Sequence, residues 1–308
     1  MKKKKKTAVK KKVSFDVQLK DTFVEIIRKT SAEMPKDVIE ALKDARAKEQ
    51  QMSRADYALK LMEKNIDLAK AKSAPLCQDT GTLLFYIHYP KMLDLKKFTK
   101  IIEKAITEAT KKGYLRQNTV DSLTGKNIPD NIGPGAPVFH FEPWEKNFFD
   151  IRLMLKGGGC ENVGAQYSLP DSRIGAGRDL DGVRKCIIDA VIQAQGKGCG
   201  PGILGVTVGG DRASGYAASK ELFLDVIGTR SKNPVLAQLE VQALAEANQS
   251  GIGPMGFGGK TTLLDVKINA LHRLPASFFV SISYMCWSYR RQGAIVDSKA
   301  QIKRWIYK

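Results

Sequence analysis

The sequence predicts a mixed α/β fold with interleaved strands and helices, preceded by an N-terminal helical region. The chain has 308 residues, of which 43% are hydrophobic, and this is enough for a packed core. From about residue 82 onward, short apolar segments typical of buried strands alternate with amphipathic segments typical of helices. Before that point, only helical periodicity occurs.

The N-terminal part divides into a charged tail and three helices. The first twelve residues, MKKKKKTAVKKK, contain eight lysines and no acidic residue. Because like charges repel and this segment has little to bury, residues 1–12 are predicted to be a disordered tail. Residues 13–72 are predicted to be helical, with one helix over about 17–28, one that begins near Pro35 and one that begins after Ser53.

The remaining residues, 73–308, are predicted to form the α/β core, so that 13–308 make up one domain. Uninterrupted apolar segments indicate strands, and apolar residues at every third or fourth position indicate helices. In chain order the predicted elements are a strand over 82–88, a helix from 98 that ends at Gly113, strands over 137–142 and 149–156, a helix over 181–195, a strand over 203–210, helices over 214–225 and 234–249, and strands over 262–269 and 277–285.

Charge and composition narrow the classes of function. The formal net charge is +18, but eight of the lysines lie in the tail, so the folded part has a moderate excess that suits small anions as well as polyanions. No apolar segment reaches the roughly 18 residues that span a bilayer, and no hydrophobic segment follows the lysines as in a signal peptide. Five cysteines without a C-x-x-C spacing argue against a secreted disulfide framework. We expect a cytoplasmic protein with no membrane association and with free or metal-bound thiols.

Four of the five cysteines lie in loops at the ends of predicted elements. Cys77, Cys160 and Cys199 lie in segments that contain glycine, and Cys286 ends the last predicted strand. Loop thiolates in such positions are typical of metal ligation, although composition does not identify the metal. Cys186 lies on the apolar face of a predicted helix, and we interpret it as a core residue.

Two other candidate motifs are set aside. The GGKTT segment has Pro254 at the position where a P-loop requires glycine, so nucleotide hydrolysis is not predicted. His88 and His140 fall within predicted strands and are interpreted as structural. His272 is the one histidine placed in a loop where a site could form, and no catalytic role is assigned to it.

Six characteristic segments follow one another along the chain. They are CQDTGT (77–82), YLRQN (114–118), KGGGCEN (156–162), GCGPGILGVTVGGDRASGYAASKEL (198–222), GIGPMGFGGKTT (251–262) and HRLPASFFVSISYMCW (272–287). In sequence and in order, they resemble the alpha subunit of the oxygen-sensitive class I fumarases and of the related tartrate dehydratases. The resemblance implies an iron–sulfur hydro-lyase, in which three cysteines hold a [4Fe-4S] cluster and the fourth iron stays open for the substrate.

The resemblance also implies roles for individual residues. The implied cluster ligands are Cys77, Cys199 and Cys286. The implied contacts to the dicarboxylate substrate are Gln78, Asp79, Arg116 and Gly159, with Asp79 exchanging a proton with the hydroxyl. Cys160 follows the three glycines where fumarases often have serine, and its thiol is expected near the cluster as a non-ligating neighbour, an alternative ligand or an oxidation-sensitive group.

The expected partner is a separate beta subunit. In single-chain members of the family, a second domain supplies the remaining base and cationic contacts to the substrate, and this chain ends at Lys308. We therefore expect a hetero-oligomer with a small dicarboxylate substrate. Reversible hydration of fumarate to malate is the first hypothesis, which Glu161 and Asn162 favour, and dehydration of tartrate to oxaloacetate is the alternative. A nucleic-acid-binding protein that uses the lysine tail is a third, remote hypothesis, and no nucleic acid partner is expected.

Overall fold

The computed structural model describes residues 14–307, and this part of the chain contains eight α-helices and nine strands. The helices are α1 (Phe15–Ala32), α2 (Lys36–Lys48), α3 (Arg54–Lys72), α4 (Leu95–Lys111), α5 (Gly158–Glu161), α6 (Leu180–Ala194), α7 (Arg212–Glu221) and α8 (Pro234–Gln249). The strands are β1 (Thr82–Pro90), β2 (Val138–Trp144), β3 (Phe149–Lys156), β4 (Ala165–Ser168), β5 (Gly202–Val208), β6 (Leu263–Ala270), β7 (Phe279–Met285), β8 (Arg291–Val296) and β9 (Ile302–Trp305). The predicted mixed α/β fold with helices at its N-terminal end is confirmed. The predicted disordered tail, residues 1–12, lies outside the described residues.

The strands form two mixed sheets. The first sheet has the order β2-β1-β3-β8-β9, in which only the β1–β2 pair is parallel. The second has the order β4-β7-β5-β6, in which only the β5–β6 pair is parallel. Because β8 follows β7 directly, residues 286–290 carry the chain from one sheet to the other.

The predicted N-terminal helical region does not pack as one unit. Helix α1 joins the core of the first sheet, where Phe23 makes edge contacts with Phe85 and Phe98 at ring-centroid distances of 6.0 and 5.7 Å. Helices α2 and α3 join the core of the second sheet through their apolar faces, which include Leu42 and Leu59. No helix within residues 14–307 has the length and apolar composition needed to cross a membrane.

Three strands, β4, β8 and β9, were not predicted from the sequence. Strands β4 and β9 have four residues each, too short for a clear alternation of apolar and polar side chains. Strand β8 begins with Arg291, which is fully buried. The burial is possible because Asp37, on α2, pairs with this arginine at 2.5 Å.

The register of the strands brings four loops to one place. Thr82, which starts β1, lies opposite Lys156, which ends β3, and Ile203 near the start of β5 lies opposite Met285 at the end of β7. The Nζ of Lys156 donates a hydrogen bond to the Tyr284 carbonyl at 2.8 Å and so joins the two edges. The loops before β1, before β5 and after β7 therefore meet with the short helix α5, which follows β3, and each of these four segments contains one cysteine. Cys160, which was predicted to lie in a loop, is in α5.

Candidate active site

The loop before β1 and the loop after β3 are in close contact. Gly81 has a φ of +76°, and a Cβ there would lie 2.5 Å from the carbonyl carbon and oxygen of Lys156. No side chain could be accommodated at this contact, because both the backbone conformation and the space exclude it. Glycine at this position therefore holds the CQDTG loop against the KGGGC loop.

The four loop cysteines lie around this contact. Cys160 and Cys286 are buried, and Cys77 and Cys199 are half-buried. The Cys160 thiol donates a hydrogen bond to the Gly157 carbonyl at 3.2 Å, and the Cys286 thiol donates to the Ser288 carbonyl at 3.8 Å. The backbone N–H of Trp287, the residue after Cys286, donates to the Cys199 carbonyl at 3.1 Å. The structure thus places the three implied ligands and Cys160 in one region.

Effects of these cysteines on one another's pKa values also indicate that the thiols lie close together. The neighbouring Cys286 thiol lowers the pKa of Cys160 well below its usual value, and the charges of Lys156 and Arg290 act in the same direction. The neighbouring Cys160 thiol, together with burial, raises the pKa of Cys286. Burial raises the pKa of Cys199, and the negative charges of Cys77, Cys160 and Asp79 add to this effect. These groups therefore act on one another as members of one site.

Cys186 lies outside this region. It is fully buried on α6, and burial raises the pKa of its thiol to about 12. The interpretation of Cys186 as a core residue is confirmed.

Buried positive charge lies near the thiols. Within residues 14–307, no three His, Cys, Asp or Glu side chains are arranged to hold a single metal ion. Lys156 and Arg290 are buried, the Nζ of Lys156 donates to the Tyr284 carbonyl two residues before Cys286, and both charges act on Cys160. A thiolate-ligated iron–sulfur cluster carries negative charge, and soft thiolate donors suit it. The residues present therefore fit a cluster of this kind.

A cleft of about 700 Å³ lies beside the thiols, and this volume suits a small ligand. Three of the four residues expected to bind substrate line it, namely Gln78, Asp79 and Arg116. Gly159 is not among the lining residues, although it follows Gly158, which contacts Asp79. The other lining residues are Thr110, Leu115, Gln117, Asn118 and Asn127.

Both carboxylate oxygens of Asp79 are held by hydrogen bonds. The backbone N–H of Gly158 donates to Oδ2 at 2.7 Å, and the Nδ2 of Asn118 donates to Oδ1 at 3.2 Å. The two donors come from different loops, so the position of the carboxylate depends on the tertiary fold. Asn118 is part of the YLRQN segment, but only Arg116 was singled out there from the sequence.

Arg116 combines a fixed backbone with a free side chain. The Nδ2 of Asn131 donates to the Arg116 carbonyl at 2.8 Å, and its Oδ1 accepts from the backbone N–H groups of Asn118 and Thr119 at 2.9 and 3.0 Å. The guanidinium itself is exposed and forms no ion pair with a carboxylate of residues 14–307. It is therefore available to bind an anion in the cleft.

The family follows from a match that covers most of the chain. The sequence profile described as "Fumarate hydratase (Fumerase)" matches residues 20–295. The chain belongs to the fumarate hydratase family. The resemblance inferred from the motifs is thereby confirmed.

Curated relatives include both fumarate hydratases and tartrate dehydratases. The chain is 48% identical over 294 residues to the "Putative fumarate hydratase class I" of Geobacillus stearothermophilus, which covers 94% of this chain and 57% of that protein. It is 32% identical over 280 residues to the "Putative L(+)-tartrate dehydratase subunit alpha" of Methanocaldococcus jannaschii, covering 89% of this chain and 96% of that protein. It is 30% identical over 276 residues to the "L(+)-tartrate dehydratase subunit alpha" of Escherichia coli (strain K12), covering 87% of each chain. The chain thus spans little more than half of the length of the Geobacillus stearothermophilus protein.

The histidines of this fumarate hydratase family member lie away from the thiols. His88 and His140 are on β1 and β2, as expected, and line a second cleft of about 540 Å³. The His140 ring stacks on Tyr86 at 4.5 Å, and His88 pairs with Glu142 at 3.0 Å. These contacts fit the structural interpretation. His272 is exposed in the loop between β6 and β7.

The three consecutive glycines, 157–159, differ in how close they come to Asp79. A Cβ at Gly157 would lie 2.9 Å from Asp79 Oδ2, one at Gly158 would lie 3.8 Å away, and one at Gly159 would have no neighbour within 4 Å. Only Gly157 therefore needs the absence of a side chain for this contact. The sequence pattern singled out Gly159 and missed Gly157, because the approach comes from another loop.

Gly157→Ala is expected to slow turnover by about 100-fold, because the new methyl group displaces the Asp79 carboxylate from its hydrogen bonds. The measurement is kcat/KM on the physiological substrate together with the melting temperature, which should change little. Gly158→Ala is the matched control, since its methyl group would make only ordinary van der Waals contact. Equal activity of the two variants would contradict the account of Gly157.

Proposed function

We propose that this chain is the alpha subunit of a class I hydro-lyase that hydrates fumarate reversibly to malate. The observation that carries the proposal is the cleft in which Gln78, Asp79 and Arg116 meet beside the buried thiols. The cleft offers a cation for a carboxylate and a carboxylate for proton transfer. Both groups are needed for hydration of a small unsaturated dicarboxylate, one to bind it and one to move the proton of the water.

The proposed cofactor is a [4Fe-4S] cluster held by Cys77, Cys199 and Cys286. Three thiolates leave one iron without a protein ligand, and a bound cluster of this kind supplies a Lewis acid next to the substrate oxygen. Cys160 is proposed as a neighbour that does not ligate. The effects of Cys160 and Cys286 on each other's pKa support the placement of its thiol beside the ligand set.

The residues of the chain bind and orient the substrate. The Arg116 guanidinium is proposed to hold one carboxylate by two parallel hydrogen bonds, and Gln78 and the backbone of Gly159 hold the other. Asp79 takes a proton from the attacking water during hydration and returns it to the departing hydroxyl during dehydration. The N–H donors of Gly158 and Asn118 keep the carboxylate directed into the cleft during both steps.

A separate beta subunit is proposed to supply the second proton-transfer group. Proton exchange at the neighbouring carbon needs a base on another side of the substrate. Asp79 is the only carboxylate among the residues found to line the cleft, and no histidine lines it. The similarity over nearly the whole length of proteins named as alpha subunits supports this division of the site between two chains.

Tartrate dehydration is the second candidate function. The coverage of 96% and 87% of two tartrate dehydratase alpha subunits favours it, because the match extends over most of the length of both. The higher identity of 48% to the fumarate hydratase, against 32% and 30%, favours fumarate. We therefore place fumarate first.

Anaerobic kinetics on both substrates test this choice. The chain is purified with and without a co-expressed beta subunit, and kcat/KM is measured for fumarate, malate and tartrate. We expect the complex to favour fumarate and malate, and the isolated chain to lose turnover while retaining iron. Preference for tartrate would support the second candidate, and full activity of the isolated chain would contradict the divided site.

Arg116→Lys is expected to lower kcat/KM by roughly 10- to 100-fold, the effect of losing one hydrogen bond to a charged group. A point ammonium cannot reproduce the planar pair of donors that holds a carboxylate. The measurement is steady-state kinetics at matched iron content, with Arg304→Lys as a control at an exposed position on β9. Unchanged kcat/KM in the Arg116 variant would remove this residue from the substrate site.

A further inference from the structure

Arg290 is a buried cation without a partner in the described part of the chain. Its side chain is 1% exposed, and none of its nitrogens, Nε, Nη1 or Nη2, has a hydrogen-bond acceptor among residues 14–307. Removing a charge from water costs several kcal/mol, so folded proteins pair buried charges or use them to bind an ion of opposite sign. An arginine in this state therefore indicates an anionic ligand.

The guanidinium of Arg290 lies close to Gly157 and to the Asp79 carboxylate. Its Nη2 is 3.7 Å from the position of a Cβ on Gly157, and Asp79 Oδ2 is 2.9 Å from the same point. Arg290 forms no ion pair with Asp79, which takes its hydrogen bonds from Gly158 and Asn118 instead. On the other side, the positive charge of Arg290 acts on Cys160 and Cys286. Arg290 is therefore near both the Asp79 carboxylate and the thiols.

The neighbouring buried cations are paired within the chain. Arg291 is fully buried, but its Nη2 donates to Asp37 at 2.5 Å, and its guanidinium lies over the rings of Tyr289 and Tyr307 at 4.2 and 4.4 Å. Lys156 is also fully buried, and it pairs with Glu161 at 3.2 Å. Arg290 differs from both, because no residue of 14–307 forms a side-chain hydrogen bond or an ion pair with its guanidinium.

We propose that Arg290 is a positioning residue that binds the thiolate-ligated cluster as its internal countercharge. The inference rests on the proposed function, since it presumes a cluster at Cys77, Cys199 and Cys286. Three thiolates give such a cluster a net negative charge, which matches the guanidinium. Charges and hydrogen-bond donors next to cluster sulfurs raise the reduction potential and strengthen retention of the metal.

The proposal predicts that removal of Arg290 has opposite effects on the chain without the cluster and on the chain with it. Without the cluster, Arg290 is an uncompensated buried charge, and its removal should stabilise the fold. With the cluster, Arg290 compensates negative charge, and its removal should weaken retention of iron. A residue that only packed or linked elements would stabilise both forms, so its removal would destabilise both.

The test compares Arg290→Met, Arg290→Lys and Arg291→Met in the full chain, each with the cluster removed and after anaerobic reconstitution. We expect Arg290→Met to raise the melting temperature of the cluster-free chain by at least about 2 °C. We expect it to speed iron loss to a chelator by about 10- to 100-fold and to lower the reduction potential of the cluster. Arg290→Lys keeps the positive charge. Its melting temperature, rate of iron loss and reduction potential should therefore stay close to those of the wild type.

Arg291→Met is the matched control, because it removes an adjacent buried arginine that has a partner. It should lower the melting temperature of the cluster-free chain and leave iron loss unchanged. The proposal is overturned if Arg290→Met destabilises the cluster-free chain while iron loss and potential stay as in the wild type. If Arg290→Met does not fold, Arg290→Gln replaces it, and unchanged iron loss in that variant overturns the proposal equally. A wild-type chain that binds no iron after reconstitution would instead contradict the proposed function.

Discussion

Alanine at Cys77, Cys199 or Cys286 is expected to abolish iron binding and turnover together. A cluster with three protein thiolates loses an essential ligand in each variant, and the open iron required for hydration is lost with it. The measurement is iron content, visible absorbance and turnover of each variant after anaerobic purification. The expected result is a colourless and inactive protein in all three cases.

Two other cysteines provide controls for these variants. Cys160→Ala should leave iron content near the wild-type value and change mainly substrate handling or sensitivity to oxidants. Cys160 is not expected to be a ligand, because a fourth protein thiolate would occupy the open coordination position of the iron that binds substrate. Cys186→Ala should cost only core packing, on the order of 1 kcal/mol. If Cys160→Ala lost the cluster while Cys199→Ala kept it, the ligand set would have to include Cys160 in place of Cys199.

Asp79→Asn is expected to slow turnover by roughly 10²- to 10⁴-fold while the cluster still assembles. The amide keeps the shape of the side chain but cannot exchange the proton with the hydroxyl. The measurement is kcat at matched iron content, and Asp67→Asn, at an exposed position on α3, is the control. Loss of the cluster in place of slowed turnover would assign a structural role to Asp79.

Secondary structure could be predicted wherever one face of an element is uniformly apolar. Helix α4 and strand β5 are examples, because their buried residues repeat with the period of a helix or form an unbroken apolar segment. Strand β8 could not be predicted, since Arg291 is polar in sequence and becomes buried only through Asp37 on a distant helix. The local sequence pattern around Arg291 does not show that its partner, Asp37, lies 254 residues away in the chain.

The candidate site was predictable to the extent that its residues lie in short motifs. Gln78, Asp79 and Arg116 were expected together from CQDTG and YLRQN, and the structure places them in one cleft. Gly157 and Arg290 were not expected. Gly157 matters because the segments before β1 and after β3 touch at Asp79, and Arg290 matters because the segment between β7 and β8 returns to the same place. The motifs predicted one shared site but not these individual contacts.

The central claim is that the thiols of this chain hold the cluster on which turnover depends. The most direct test measures iron, acid-labile sulfide and fumarate hydration in one anaerobic preparation of the complex with its beta subunit. We expect about four iron and four sulfide per alpha chain, with turnover that falls in proportion to iron on exposure to oxygen and returns on reconstitution. A colourless, iron-free preparation that hydrates fumarate at the full rate would contradict the claim.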